Sequence, residues 1–196
     1  MIRALVIYCH PLLGAYNEAV REAAMAGLSS AAEEIRVTDL YADGFNPEAT
    51  TLDSDGRCVL GDDPLPAGYA ADLAWCDTLV LIYPTWWAGQ PAMLKGWIDR
   101  VWVEGVAWES AEGPEKRQPL LGNIKRLVAI STHGSSKSVN MLEGEGGKRT
   151  FTRGLAKMCH RRARTTWLAL YGIDTSSQSD RESFLAKVER QLSRLP

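Results

Sequence analysis

Cysteine is sparse and unpatterned in this chain. Its four cysteines, Cys9, Cys58, Cys76 and Cys159, form no CxxC pair and no Cys/His ligand spacing. That excludes a structural zinc site and a disulfide framework, and it fits a reduced, cytosolic protein. Cys9 and Cys76 flank apolar runs and read as small hydrophobes. No apolar run approaches the length of a transmembrane helix. The opening MIRALVIYCHP passes straight into polar sequence, so it reads as a first strand and not as a secretory signal. Charge of one sign is lacking as well. A net charge of −2 gives no general pull toward nucleic acid or anionic membrane. There is no GxGxxG dinucleotide fingerprint, no internal repeat and no low-complexity tract.

What is present is a set of short, continuous apolar runs separated by turn residues. With 196 residues and 45% hydrophobic content, the chain can bury a full core as one domain spanning 1–196. Thr78–Tyr83, TLVLIY, is apolar throughout, the pattern of a parallel strand covered on both faces. Pro84 ends it. Pro91 stands where a first helical residue belongs, and Leu94, Trp97, Ile98 and Val101 follow as an apolar stripe. Lys95, Asp99 and Arg100 fall off that stripe. Gly96 inside the helix costs roughly 1 kcal/mol against Ala, which implies that backbone or ligand comes close there.

The remaining elements alternate in the same way. Strands are expected at Arg3–Tyr8, Glu34–Leu40, Arg126–Ser131 and Thr165–Tyr171, and helices over Asn17–Ser30, Ala67–Trp75, Arg149–His160 and Ser179–Leu195. Long loops are expected at Tyr41–Pro66, at Glu104–Asn123 (with Gly113 and Pro114) and at Thr132–Gly147. Five strands alternating with five helices give an α/β three-layer sandwich around a parallel sheet, in the flavodoxin-like order 2-1-3-4-5. Ligands of such sheets bind outside the strand carboxyl ends.

Three loops meet at that edge. His10–Asn17 opens a helix whose free N–H groups and dipole attract phosphate. Pro84–Gly89 carries Trp86 and Trp87, poorly placed for a core and well placed to wall a flat ligand. Ser131–Ser136 offers donors and hydroxyls to a polar ring edge. Phosphate cradle, flat slot and polar edge together suit a flavin nucleotide. Each element has a plainer alternative: His10 as a loop histidine bonded to backbone, Asn17 as a helix cap, and the tryptophans as core or dimer interface.

These residues resemble the NAD(P)H:quinone oxidoreductase (DT-diaphorase-like) family of flavodoxin-fold flavoproteins. His10-Pro11 with Tyr16-Asn17 resembles its HPxxxSxN loop, and Asp39-Leu40-Tyr41 with Gly44-Phe45-Asn46-Pro47 its DLYxxxFxP segment. PTWWAGQPAMLKGWIDR, Pro84 through Arg100, is close to the family signature. Gly105–Trp108, GVAW, resembles GxAY, and Ser131–Ser135, STHGS, resembles TTGGS. Residues 48–66 and 110–122 match poorly.

The resemblance implies FAD, or alternatively FMN, held by His10, Tyr16 and Asn17 at its phosphate and ribityl side. Pro84, Thr85, Trp86, Trp87 and Ala88 would lie along the ring, and Ser131, Thr132, His133 and Gly134 at its polar edge. Trp87 and Trp108 would shape the substrate pocket, with a second subunit of a homodimer. NAD(P)H would be the co-substrate and a quinone or similar planar molecule the acceptor, in ping-pong hydride transfer in the cytoplasm. Ala15 replaces a phosphate-contacting serine. His133 replaces a glycine and is the candidate catalytic residue, with a packing role as its alternative. Competing readings are an ancillary regulatory flavoprotein of a potassium-efflux system and a flavodoxin-type electron carrier. The basic run Lys148, Arg149, Arg153, Lys157, Arg161, Arg162 and Arg164 reads as a solvated helix face or as a site for an anion such as the NADPH 2′-phosphate.

Overall fold

The computed structural model describes residues 2–111 and 117–195; Gly113 and Pro114 lie outside the described residues, as do both terminal residues. A five-stranded parallel sheet is built from β1 (Ile2–Tyr8), β2 (Ala32–Asp39), β3 (Thr78–Pro84), β6 (Arg126–His133) and β7 (Arg164–Tyr171), in the order β2-β1-β3-β6-β7. With the small hairpin β4 (Trp108–Ser110) and β5 (Arg117–Pro119) set aside, this is the expected 2-1-3-4-5 order. The hairpin lies inside the second long loop. Its strands have only three residues each, too few to leave a period in the sequence.

Continuous apolar runs arise because each strand feeds two cores. Alternate residues point to opposite faces. Leu5, Ile7, Leu79, Leu81 and Leu127 meet α2 (Pro64–Trp75) and α3 (Ala92–Val101) through Leu73, Leu94, Trp97 and Val101. Val6, Val80, Ile82, Val128 and Ile130 meet α1 (Tyr16–Ser29) and α6 (Gln178–Ser193) through Val20, Leu28, Phe184 and Val188. Every residue of β3 is buried. Cys9, Cys76 and Cys159 are buried and unpaired, and burial pushes each thiol up to about 12, so they act as hydrophobes at neutral pH.

Several boundaries differ from the expectation, each for a local reason. Helix α2 begins at Pro64, because the Asp63 side chain caps it by accepting from the Leu65 N–H. Pro91 is the N-cap of α3 and not its first residue. Strand β6 runs on through Thr132 and His133, which pair with Leu170 and Tyr171 of β7. The expected polar loop after it holds α4 (Lys137–Leu142), capped by Ser136, and the single turn α5 (Gly146–Arg149). The helix expected over Arg149–His160 is a π turn at Thr150–Gly154 followed by a 3-10 turn at Leu155–Met158.

Arg100 is the largest correction. It is buried, with Nη2 2.8 Å from Asp63 Oδ2, Nη1 donating to the Asn46 carbonyl, and its guanidinium over the Phe45 ring. Gly96 faces the same segment and abuts Pro47. The Tyr41–Pro66 excursion is thereby tied onto α3 and α2, and Asp63 is held well below the usual carboxylate range first by its hydrogen bond from Arg100.

Candidate functional site

At the carboxyl edge of the sheet, a cavity of about 370 Å³ is lined by His10, Tyr16, Asn17, Pro84, Thr85, Trp86, Thr132 and Gly134, together with Ile173 and Asp174. That volume lies within the range of small-molecule sites. A neighbouring cavity of about 240 Å³ is lined by Thr85, Trp87, Ala88, His133 and Gly134, together with Ser135, Asn140 and Glu143. The three expected loops therefore do converge.

The phosphate-loop side has unused donors. Helix α1 starts at an N-cap, Ala15, that makes no side-chain cap, so Asn17 is not the capping residue. Asn17 is buried in the first turn, where its Oδ1 accepts from Thr132 Oγ1 at 3.0 Å. Its Nδ2 is buried with no partner. A buried amide donor left unpaired costs about 1–3 kcal/mol, so this atom marks a place where something else accepts. Glu18 occupies one flank, accepting from the Gly14 N–H at 2.7 Å and pairing with Arg21. The Tyr16 hydroxyl is committed to the Arg181 carbonyl at 2.7 Å, which leaves its ring edge to the cavity. His10 Nδ1 lies 3.2 Å from both the N–H and the carbonyl oxygen of Leu12.

The aromatic wall is a strained turn. Trp86 and Gly89 exchange backbone hydrogen bonds at 3.1 and 3.0 Å, and between them Trp87 and Ala88 both have positive φ, 48° and 57°. This is the pattern of a type I′ turn, which favours Asn or Gly at both places. Neither is present, and left-handed backbone at an ordinary residue costs roughly 1 kcal/mol or more. The turn is held from outside: the Gly147 N–H donates to the Ala88 carbonyl at 3.0 Å, and Gln90 Nε2 donates to the Gly147 carbonyl at 3.0 Å. Trp87 is 102% exposed and Trp86 is 43% exposed, so neither belongs to the core. Strained backbone of this kind clusters at ligand clamps and active sites.

The polar edge is deeper than the sequence suggested. Ser131 is buried and lines neither cavity; its Oγ lies 2.8 Å from Thr85 Oγ1. His133 is also buried, stacked on Tyr171 with centroids 4.5 Å apart and edge-on to Trp167. Burial lowers its basicity, against smaller opposing effects of Asn140, Glu145 and Glu143. Below the ordinary value of 6.5, the unfolded chain takes a proton that the folded chain resists. Stability therefore falls as pH drops through that value and levels off below the folded one. Urea melts between about pH 8 and about pH 5 should show this loss, and His133→Phe should remove it.

Residues not anticipated are Ile173, Asp174, Asn140, Glu143 and the αL residue Glu145, which is held by Lys148 at 2.9 Å. Ile173 and Asp174 follow β7, and the rule that ligands sit at strand carboxyl ends would have found them. Trp108 packs against the core beneath Arg117 and lines neither cavity. The basic run is split. Lys148 is at the crevice end, while Arg162 and Arg164 join Lys125, Arg126 and His160 in a groove at the amino ends of β6 and β7. Strand β6 has eight residues, so that groove is roughly 23 Å from the crevice and does not border it within one chain.

A family model described as flavodoxin-like fold matches residues 2–195. The chain belongs to the flavodoxin-like fold family. Among its relatives, NAD(P)H dehydrogenase [quinone] 1 of Rattus norvegicus is 32% identical over 162 residues, covering 74% of this chain and 58% of the relative. The chain thus spans less than two thirds of that relative's length. The uncharacterized NAD(P)H oxidoreductase YcaK of Escherichia coli (strain K12) is 32% identical over 165 residues, covering 80% and 76%. Among solved structures, Smu.1420 of Streptococcus mutans UA159 superposes with a TM-score of 0.86 at 25% identity, over 99% and 100% of the two chains. In this flavodoxin-like chain, the unpaired Asn17 amide and the uncapped α1 terminus fit an anionic phosphate, and the indole turn beside them fits a flat ring.

Proposed function

We propose that this chain is a flavin-dependent NAD(P)H:quinone oxidoreductase. The observation that carries the reading is the buried, unpartnered Asn17 amide at an uncapped helix terminus, in the same cavity as the Trp86 side of the strained turn. The chemistry a flavin supplies when bound is hydride transfer, taken from NAD(P)H and given to a planar acceptor in two half-reactions that share one slot.

The chain supplies placement and electrostatics. Asn17 Nδ2 and the free N–H groups of the first α1 turn bind the phosphate. Asp174, across the cavity, accepts from hydroxyls of the sugar chain. Trp86 and Trp87 cover the ring and exclude water. The Gly134 backbone, just past the end of β6, would face the ring edge that gains negative charge on reduction, where a dry surround strengthens a donor. A Cβ on Gly134 would meet Asp174 Oδ2 at 3.0 Å, so a larger residue there would displace that carboxylate.

The working form is a cytoplasmic homodimer. Leu13, Trp87, Met141 and Leu142 are exposed apolar side chains that a second copy would cover. Trp108 lines neither crevice cavity, and its part in substrate binding would be at the slot of that copy. Among the described residues, no helix is long and apolar enough to cross a membrane.

Protein purified without added cofactor should be yellow. Mass spectrometry of the heat-released chromophore distinguishes FAD from FMN. Reconstituted protein should oxidise NADH or NADPH with menadione or benzoquinone; no turnover with several quinones and azo dyes would sink the enzyme reading. Trp87→Ala should weaken flavin retention by about 1 kcal/mol, roughly fivefold. Trp87→Gly should weaken it equally while raising stability by about 1 kcal/mol, through release of αL strain. Unchanged retention in both would assign Trp87 to the dimer contact alone.

A further inference from the structure

Hydrogen-bond direction around His133 is fixed from its far end. Asn140 Nδ2 donates to the carbonyls of Ser135 and Ser136 at 3.3 and 2.9 Å. The atom it turns to His133 Nδ1, 2.7 Å away, is therefore its Oδ1. An amide oxygen only accepts, so Nδ1 carries the ring proton. Burial keeps the imidazole neutral, and Nε2 is a bare acceptor. Its partner is Thr85 Oγ1 at 3.3 Å, which has one hydrogen and gives it to Nε2. Ser131, buried 2.8 Å from the same oxygen, donates to Thr85 in turn. Thr85 is left with a lone pair and no proton for the cavities that it lines on both sides.

We propose that His133 is a positioning residue that makes Thr85 an acceptor-only contact, so that the crevice takes a ligand N–H or O–H at this point and disfavours a carbonyl or bare ring nitrogen. The imide-like edge of a flavin carries such a donor between two carbonyls, so the contact selects how that edge enters. The identity of the ligand rests on the proposed function; the polarity of Thr85 does not.

Two measurements test this. The first needs no ligand: nitrogen-15 NMR of labelled histidine at neutral pH, with the His133 signals assigned by their loss in His133→Phe. The expected result is the Nδ1–H tautomer; an Nε2–H tautomer or a doubly protonated ring overturns the proposal. The second is a double-mutant cycle on FMN and FAD dissociation constants, using His133→Phe, Thr85→Val and both together. Phe keeps an aromatic ring against Tyr171, and thermal melts check the fold. His133→Phe alone should weaken the bound flavin roughly three- to tenfold, the worth of one neutral hydrogen bond. In the Thr85→Val background it should do nothing further. An equal loss in both backgrounds means that His133 acts through general support, and the proposal fails. If the unaltered protein binds neither flavin, the proposed function falls and the tautomer result alone decides the part of His133.

Discussion

Gly96→Ala is expected to destabilise this protein by about 3 kcal/mol or more, although it replaces a helix-interior glycine by the best helix former. A Cβ built on Gly96 falls inside the Cα, Cβ and carbonyl oxygen of Pro47. Backbone cannot swing aside as a flexible side chain can. Either α3 moves off the sheet, where Leu94, Trp97 and Val101 are fully buried, or Pro47 moves and pulls Asn46 from its hydrogen bond with Arg100. Propensity returns only about 1 kcal/mol. Gly68→Ala is the control. It lies within α2, and a Cβ there meets nothing within 4 Å, so it should stabilise by up to about 1 kcal/mol. Urea melts on the pair should move in opposite directions. A neutral Gly96→Ala would mean that the Asn46–Pro47 segment is not seated on α3 in solution.

The same glycine shows what a sequence can carry. Its cost in a helix is visible from propensity alone, and so is the inference of a close approach; the partner, Pro47, is not. Strands β1, β3 and β6 were legible through the apolar runs Ala4–Tyr8, Leu79–Tyr83 and Leu127–Ile130, which burial on both faces leaves unbroken. The site was legible wherever it depends on topology, since 2-1-3 order forces the loops after β1 and β3 together. It was illegible where polar groups satisfy one another. Arg100 was expected off the apolar stripe from its helical position. Asp63 and the Asn46 carbonyl, both from a loop without periodicity, are what make its burial tolerable. Ser131 and His133 were expected to offer polar groups to a ring edge, and both are buried instead. Their partners, Thr85 and Asn140, sit on separate elements. Trp86 and Trp87 were placed by the reverse logic: a strand ending at Pro84 leaves adjacent indoles no interior to enter.

Asn17→Ala should lower flavin affinity roughly ten- to hundredfold, the range for losing one hydrogen bond to a charged group, while global stability shifts by no more than about 1 kcal/mol. The two halves of this expectation have separate causes. In the ligand-free chain, Asn17 makes one good bond, from Thr132 Oγ1, and leaves Nδ2 buried without a partner. Removing the side chain forfeits the first and relieves the second, and the two nearly cancel. A bound phosphate changes that balance. Nδ2 then has an anionic acceptor at a helix terminus whose dipole already favours it, and Ala15 offers no hydroxyl to substitute. A residue kept only for packing would behave the other way, losing stability and leaving affinity alone. Chemical denaturation of the flavin-free protein and fluorescence titration with FMN and FAD separate the cases. A stable variant that still holds its flavin would remove the phosphate from the α1 terminus, and with it the reason for placing the ring beneath the indole turn.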